Sequence, residues 1–375
     1  MITRGRTVVN NNIENQNPER VKSVNQKSIF KTSNRPVLSS LTNCNAKTSK
    51  PEDVYSSLEL KDDELVNFKN FVKARLNLLS KVSSDDVSSI FKDYEGTEYE
   101  DVNFAYLQNL EYTLLPIGQS FLVNHRISPR MRYILVNWLV KIHEAHHMVA
   151  ETLYLTIAIM DRYLQYSPTP VDKVDFQLLG MTALFIASKY EETYPPEICD
   201  LVACTDYLLD KKDIKELECT ILNTLGFEVD FPLPIGYLRR LTTYLQVDRT
   251  THNMAKYFLE LTIQEYDLCW LTGNMRAAVC VCLAATIMMK KDDPSDVWDA
   301  NLAALTAFNY TDLESCILTL ARVVYRQNSH SEYRAIKNKY ATKDINMKVA
   351  SMPILNSSYF EKIAKLVFDD AGNPI

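Results

Sequence analysis

The chain has 375 residues, enough for two domains of ordinary size, and 46% of them are hydrophobic, so a sizeable core is available. Only 8 residues are glycine while Leu, Ala, Lys, Glu and Met recur, a composition that favours helices over strands and turns. The net charge of −6 hides an asymmetry: residues 1–50 hold nine Lys/Arg and two Glu, a balance of +7, which leaves −13 on the remainder and argues against nucleic acid as the main ligand.

The N-terminus is polar and Asn-rich, with no secretory signal. Residues 1–60 have few aromatics and no periodicity, and read as a disordered basic tail that cannot offset its ordering entropy by burial. Residues 61–125 read as a helical extension. Leu65, Phe68, Phe71, Val72, Leu76 and Leu79 predict an amphipathic helix over 62–80, and a second runs from Tyr99 to Leu115, where Pro116 stops it.

Ser128 and Pro129 then supply an N-cap and a first-turn proline. Met131, Ile134, Leu135, Trp138, Leu139 and Ile142 follow as one apolar stripe. Further helices are expected at Glu151–Tyr166, Phe176–Glu192, Asp213–Leu225, Ile235–Leu245, Thr250–Asp267, Asn274–Lys290, Asp296–Asn301 and Thr311–Gln327. Pro195, Pro196, Gly226, Pro232 and Pro234 punctuate them. The longest apolar run, Ala277 to Met289, contains Thr286 and ends at Lys290 and Lys291; it is too short to cross a bilayer, and a soluble protein is expected.

Gly180, Ala183 and Ala187 set small residues on one helix face, and Ala277, Val281, Ala284 and Ala285 do so about a hundred residues later. Small faces let neighbouring backbones approach, so each helix suits the centre of a bundle. Two successive five-helix bundles over 126–231 and 232–345, with a C-terminal extension over 346–375, is the simplest all-α reading. The alternative is that both are merely buried helices.

The 8 cysteines (Cys44, Cys199, Cys204, Cys219, Cys269, Cys280, Cys282, Cys316) form no CxxC pair, fall mostly in apolar runs and read as reduced core residues. His143-Glu144-Ala145-His146-His147 matches H-E-x-x-H, which on a helix can place two imidazoles on one metal. No third ligand follows, however, and projection at 100° per residue puts His146 near the core stripe with His143 and His147 toward the polar edge. One packed and two surface histidines is the plainer reading. No phosphate loop, nucleophile elbow or kinase signature is present, so no enzyme, metal or cofactor is expected.

Four charged residues sit in apolar helices. Lys189 ends the run 178–192, and Glu218 lies among Ile214, Leu217, Ile221 and Leu222; each is either a solvated edge residue or a site. Arg132 and Asp161 also sit in apolar helices and could pair in the core, where a buried ion pair specifies one packing more than it adds stability.

Met-Arg-Tyr-Ile-Leu-Val-Asn-Trp-Leu-Val (131–140), Glu-Thr-Leu-Tyr-Leu (151–155), Asp-Arg-Tyr-Leu (161–164) and Ala-Ser-Lys-Tyr-Glu-Glu (187–192) resemble the cyclin box. Tyr-Pro-Pro-Glu-Ile (194–198), Pro-Leu-Pro-Ile-Gly-Tyr-Leu-Arg-Arg (232–240), Ala-Lys-Tyr-Phe-Leu-Glu-Leu-Thr (255–262) and Lys-Asn-Lys-Tyr-Ala-Thr (337–342) narrow the resemblance to B-type mitotic cyclins, over about 100–345. It implies two cyclin folds and a mitotic cyclin-dependent kinase as partner. The first fold would push inward the kinase's mobile helix, which bears the Glu of a Lys–Glu ion pair. By position Lys189, Glu218 and Leu178 match the kinase-binding residues, and Arg132 and Asp161 the ion pair that braces them. The alternative function is a cyclin-fold scaffold or transcription-associated cyclin, against which the acidic body weighs.

The same resemblance implies three further sites. Met131, Ile134, Leu135, Trp138 and Gln177 match a groove that docks Arg-x-Leu peptides, altered here by Asn137 in place of the usual Asp and by Lys141, a cation that repels the peptide's Arg. Arg239, His252 and Lys256 match a pocket for phosphorylated partners; on residues alone they read equally as solvated surface. Arg35-x-x-Leu38-x-x-Leu41-x-Asn43 matches the destruction box read by an anaphase-promoting ubiquitin ligase. Residence in both nucleus and cytoplasm follows from the same likeness.

Overall fold

The computed structural model describes residues 100–365, apart from 115, 330–331 and 343–345. The expected helix over 62–80, the basic tail and its destruction box lie outside the described residues.

Among the described residues the architecture is all-helical. After a leading helix α1 (Glu100–Thr113), the first bundle comprises α2 (Pro129–Ala145), α3 (Ala150–Tyr166), α4 (Lys173–Glu191), α5 (Ile198–Ala203) and α6 (Lys211–Thr224). The start of α2 follows directly from its sequence: Ser128 is extended, its hydroxyl accepts the Met131 N–H, and Pro129 occupies the first turn. The start of α3 has no side-chain cap of its own. Glu192, just beyond α4, supplies one by accepting the Val149 N–H at 2.8 Å, which puts a carboxylate at a helix N-terminus.

Helix α4 is the hub and packs against α2, α3 and α6. A Cβ on Gly180 would stand 3.0 Å from the Leu135 side chain, so the missing side chain is what lets α2 and α4 close on each other.

The second bundle comprises α7 (Pro234–Tyr244), α8 (Arg249–Gln264), the single turn α9 (Tyr266–Cys269), α10 (Gly273–Met288), α11 (Ala300–Thr306) and α12 (Tyr310–Ser329). Two short helices follow, α13 (Ala335–Thr342) and α14 (Ser358–Ile363). Every residue from Ala277 to Ile287 is buried, so α10 is apolar all round because α7, α8 and α12 surround it.

Three expectations are corrected here. The helix expected over 250–267 ends at Gln264, where Glu265 turns extended and α9 restarts. The helix expected over 296–301 is displaced: Pro294–Asp296 is a 3-10 turn, and Asp299 caps α11 by accepting the Leu302 N–H at 2.8 Å. Among the described residues the core reading of the cysteines holds for Cys269, Cys280 and Cys282, since Cys199 and Cys219 are exposed and Cys204 and Cys316 half-buried; Cys44 lies outside the described residues.

The bundles are stitched together by polar contacts through α2. The Asn137 carboxamide oxygen accepts the Ala335 N–H at 2.9 Å, at the start of α13. Helix α1 docks on the second bundle: Gln108 donates to the Leu305 carbonyl at 3.1 Å, Phe104 meets Tyr237 edge-on, and Glu111 accepts the Asn274 N–H at 3.1 Å. Burial pushes the Glu111 carboxyl up to about 7, against the pull of the Asn274 and Gly273 amides and of Arg276.

Candidate functional site

Helices α4 and α6 lie side by side in the first bundle. Ile214 and Ile221 are the buried anchors of α6, which leaves Glu218 near the rim. Its carboxylate pairs with the Lys189 ammonium, which also lies 4.2 Å over the Phe185 ring. The Lys189 side chain is 40% exposed and that of Glu218 14%, so the pair is fixed in place yet reachable from outside. Leu178 is half-buried on the same helix as Lys189.

Large apolar side chains flank these two helices without cover. Tyr190 and Tyr194 end α4, Tyr207 and Leu208 precede α6, and Phe227 follows it; all are more than half exposed. Exposed aromatics at the ends of these helices are of the residue types that interfaces use. In the sequence Tyr190 and Tyr194 stand out only within family motifs, and Tyr207, Leu208 and Phe227 carry no signal of their own.

The Arg132–Asp161 pair lies buried between α2 and α3. Arg132 Nε and Nη2 meet the two Asp161 oxygens at 2.8 and 2.6 Å, and both side chains are at most 1% exposed. Arg132 Nη1 goes on to the Gln264 carbonyl at 3.3 Å in the second bundle. Burial pulls the guanidinium's pKa down, but the Asp161 carboxylate more than reverses this and holds it above its ordinary value. The charge is therefore permanent, and its geometry ties α2, α3 and the end of α8 into one piece.

Of the proposed groove residues, Met131, Ile134, Trp138 and Gln177 are half-buried and Leu135 is buried against Gly180. Lys141 is exposed. Asn137 does not face this groove: it is 3% exposed and engaged with Ala335, so its identity serves the joint between bundles and not a docked peptide.

Arg239 on α7 and His252 and Lys256 on α8 come together. Burial lowers the His252 pKa, and the Lys256 and Arg239 charges lower it further. Burial likewise lowers that of Lys256. Arg239 pairs with Glu151 of the first bundle at 2.6 Å. Glu151 was not singled out in the sequence, because its partner is remote along the chain.

The histidine cluster corrects its expectation. The packed member is His143, 3% exposed, whose Nε2 meets the Val149 carbonyl at 2.7 Å, while His146 is half-buried and His147 exposed. Burial and then the Lys339 charge lower the His143 pKa. Among the described residues no three His, Cys, Asp or Glu side chains gather where they could hold a metal ion, and no helix is long and apolar enough to cross a membrane.

Residues 103–230 match the family profile of the cyclin N-terminal domain, and residues 232–355 that of the cyclin C-terminal domain. The G2/mitotic-specific cyclin-B of Patella vulgata is 35% identical over 308 residues, covering 82% of this chain and 72% of that one. The G2/mitotic-specific cyclin-B2 of Bos taurus is 36% identical over 288 residues, covering 76% and 70%. The crystal structure of a viral cyclin from herpesvirus saimiri shares the fold, with a TM-score of 0.53 at 18% identity over 62% of this chain and 98% of that one. With both cyclin domains matched in tandem and relatives of this extent, the chain belongs to the cyclin family, in its B-type, G2/mitotic-specific branch.

Proposed function

We propose that this cyclin binds and activates a mitotic cyclin-dependent kinase and so drives the passage from G2 into mitosis. The observation that carries this reading is the Lys189–Glu218 pair, held partly exposed between α4 and α6, two helices whose ends carry exposed aromatics. Its ammonium and carboxylate present a donor and an acceptor to a partner backbone, and the aromatics supply apolar burial.

Activation is then a population shift. The cyclin binds the kinase with its mobile helix inward more tightly than with it outward, and that difference in affinity selects the active arrangement. The cyclin contributes no active site and completes one on its partner. Rigidity matters here, because a face that yielded would not hold the helix in place.

Three finer elements belong to the same reading. Arg239, His252 and Lys256 form a pocket for phosphorylated proteins. Met131, Ile134, Leu135, Trp138 and Gln177 form a peptide groove weakened by Lys141. Arg35, Leu38, Leu41 and Asn43 mark the chain for a ubiquitin ligase of the anaphase-promoting type, and the protein works in both nucleus and cytoplasm. The test of the core reading is reconstitution: purified chain added to a monomeric mitotic kinase raises phosphorylation of a histone substrate. Absence of any rise with an otherwise activatable kinase contradicts it.

A further inference from the structure

The basic pocket between the bundles already contains an anion. Glu151, at the start of α3, places Oε1 2.6 Å from Arg239 Nη1 across the joint between the two cyclin folds. Its field is also felt at Lys256, where it opposes the lowering caused by burial. Deeper in, Lys339 of α13 is bonded to Glu260 of α8 at 2.6 Å, so those two charges cancel locally.

His252 adds a further constraint. The Thr242 hydroxyl lies 2.9 and 3.0 Å from the Leu238 and Arg239 carbonyls and donates to them. The same hydroxyl lies 2.9 Å from His252 Nδ1, so that ring nitrogen is already engaged within the protein. Burial and the Lys256 and Arg239 charges lower the His252 pKa, which favours the neutral ring. The two cations left to an incoming anion are Arg239 and Lys256, and Arg239 is engaged by Glu151.

An incoming carboxylate would replace one monoanion with another on Arg239. It would gain nothing in charge, lose its own translational freedom, and compete with a carboxylate held in place by the fold at high effective concentration. The displaced Glu151 would also be left beside Glu191, whose pKa is already raised by burial and by the charges of Glu151, Glu192 and Asp230. A phosphoryl group differs in kind. It carries a charge of about −1.5 to −2 and three acceptor oxygens, enough to take the Arg239 fork, the Lys256 ammonium and a newly protonated His252 Nε2 together.

We propose that Glu151 is a built-in occupant of the Arg239–His252–Lys256 pocket, and that by holding Arg239 it makes the pocket select phosphoryl groups on partner proteins over aspartate or glutamate side chains. This inference rests on the reading of that pocket as a phosphate site. It makes Glu151 a specificity-determining residue and joins phosphoprotein recognition to the joint between the folds.

The test uses the full chain with isotope-labelled histidine and follows the His252 ring signals, assigned through His252→Asn. The probes are short Gly/Ala peptides carrying one phosphoserine, or one glutamate at the same place. Wild type shifts with the phosphoserine peptide and not with the glutamate peptide. Glu151→Gln binds the phosphoserine peptide about two- to fivefold more tightly, as loss of a part-exposed competing ion pair allows, and now responds to the glutamate peptide. Glu151→Asp, which keeps the charge but withdraws it, falls between. If wild type binds phosphoserine and Glu151→Gln neither tightens nor admits glutamate, the gate is wrong and the pocket stands. Phosphoserine binding by the variant alone also overturns the proposed selectivity, and binding by neither protein removes the pocket and the inference with it.

Discussion

Arg132 grips Asp161 with two hydrogen bonds in a solvent-free setting, and the same guanidinium reaches the Gln264 carbonyl in the second cyclin fold. Three helices from two bundles thus depend on one charge. Removing one partner strands the other in the core, so Arg132→Ala or Asp161→Ala lowers stability by about 3–5 kcal/mol, read by denaturant unfolding. Arg132→Met combined with Asp161→Leu, which removes both charges, recovers most of that loss. A double variant as damaged as the single ones would show that the pair does more than satisfy itself.

Glu111 makes the docking of α1 sensitive to pH. Its folded pKa of about 7 lies above the reference value of 4.5, so the native state holds the extra proton. The associated stability is fully present below the reference value and is lost as pH rises through the folded one, with a slope of at most ~1.4 kcal/mol per pH unit. Glu111→Gln, which stays neutral and keeps an acceptor for Asn274, flattens the stability profile across that window and is the more stable protein above it. Thermal melts of both proteins over a pH series measure the difference.

The peptide groove is expected to be weak because Lys141 is exposed beside it. Lys141→Glu replaces a repelling cation with an anion and raises affinity for an Arg-x-Leu peptide several-fold, more at low salt than at high. Trp138→Ala abolishes the gain. Fluorescence polarisation of a labelled peptide reads both, and a Lys141→Glu variant no tighter than wild type would mean that the groove does not bind such peptides.

Turnover tests the tail. Arg35→Ala with Leu38→Ala lengthens the half-life of the protein at mitotic exit, measured by cycloheximide chase in synchronised cells. An unchanged half-life would remove the destruction box.

Much of this was legible in the sequence where one helix carries its own signals. Ser128 and Pro129 announce α2, and the long apolar run from Ala277, broken only by Thr286, announces the buried α10. What escaped depends on contacts remote along the chain. Projection of α2 placed His143 on a polar edge because it considered only the first bundle's core, but the second bundle, with Lys339 and Glu260 close by, covers that edge. Asn137 was read as part of a peptide groove for the same reason; its partner, Ala335, belongs to α13. Helices of six or eight residues, such as α5 and α13, are too short for periodicity to declare. Glu151 carries no signal of its own in the sequence, because only the fold sets it on Arg239.

The most direct measurement of the central claim compares wild type with the Lys189→Ala, Glu218→Ala double variant as activators of the same mitotic kinase. The two residues lie at the rim, so the variant keeps its fold, checked by an unchanged thermal midpoint. Loss of two interface hydrogen bonds to charged groups, at about 1.5–3 kcal/mol each, predicts at least a tenfold rise in the concentration needed for half-maximal histone phosphorylation. A folded double variant that activates the kinase at the wild-type concentration would contradict the assignment of this face.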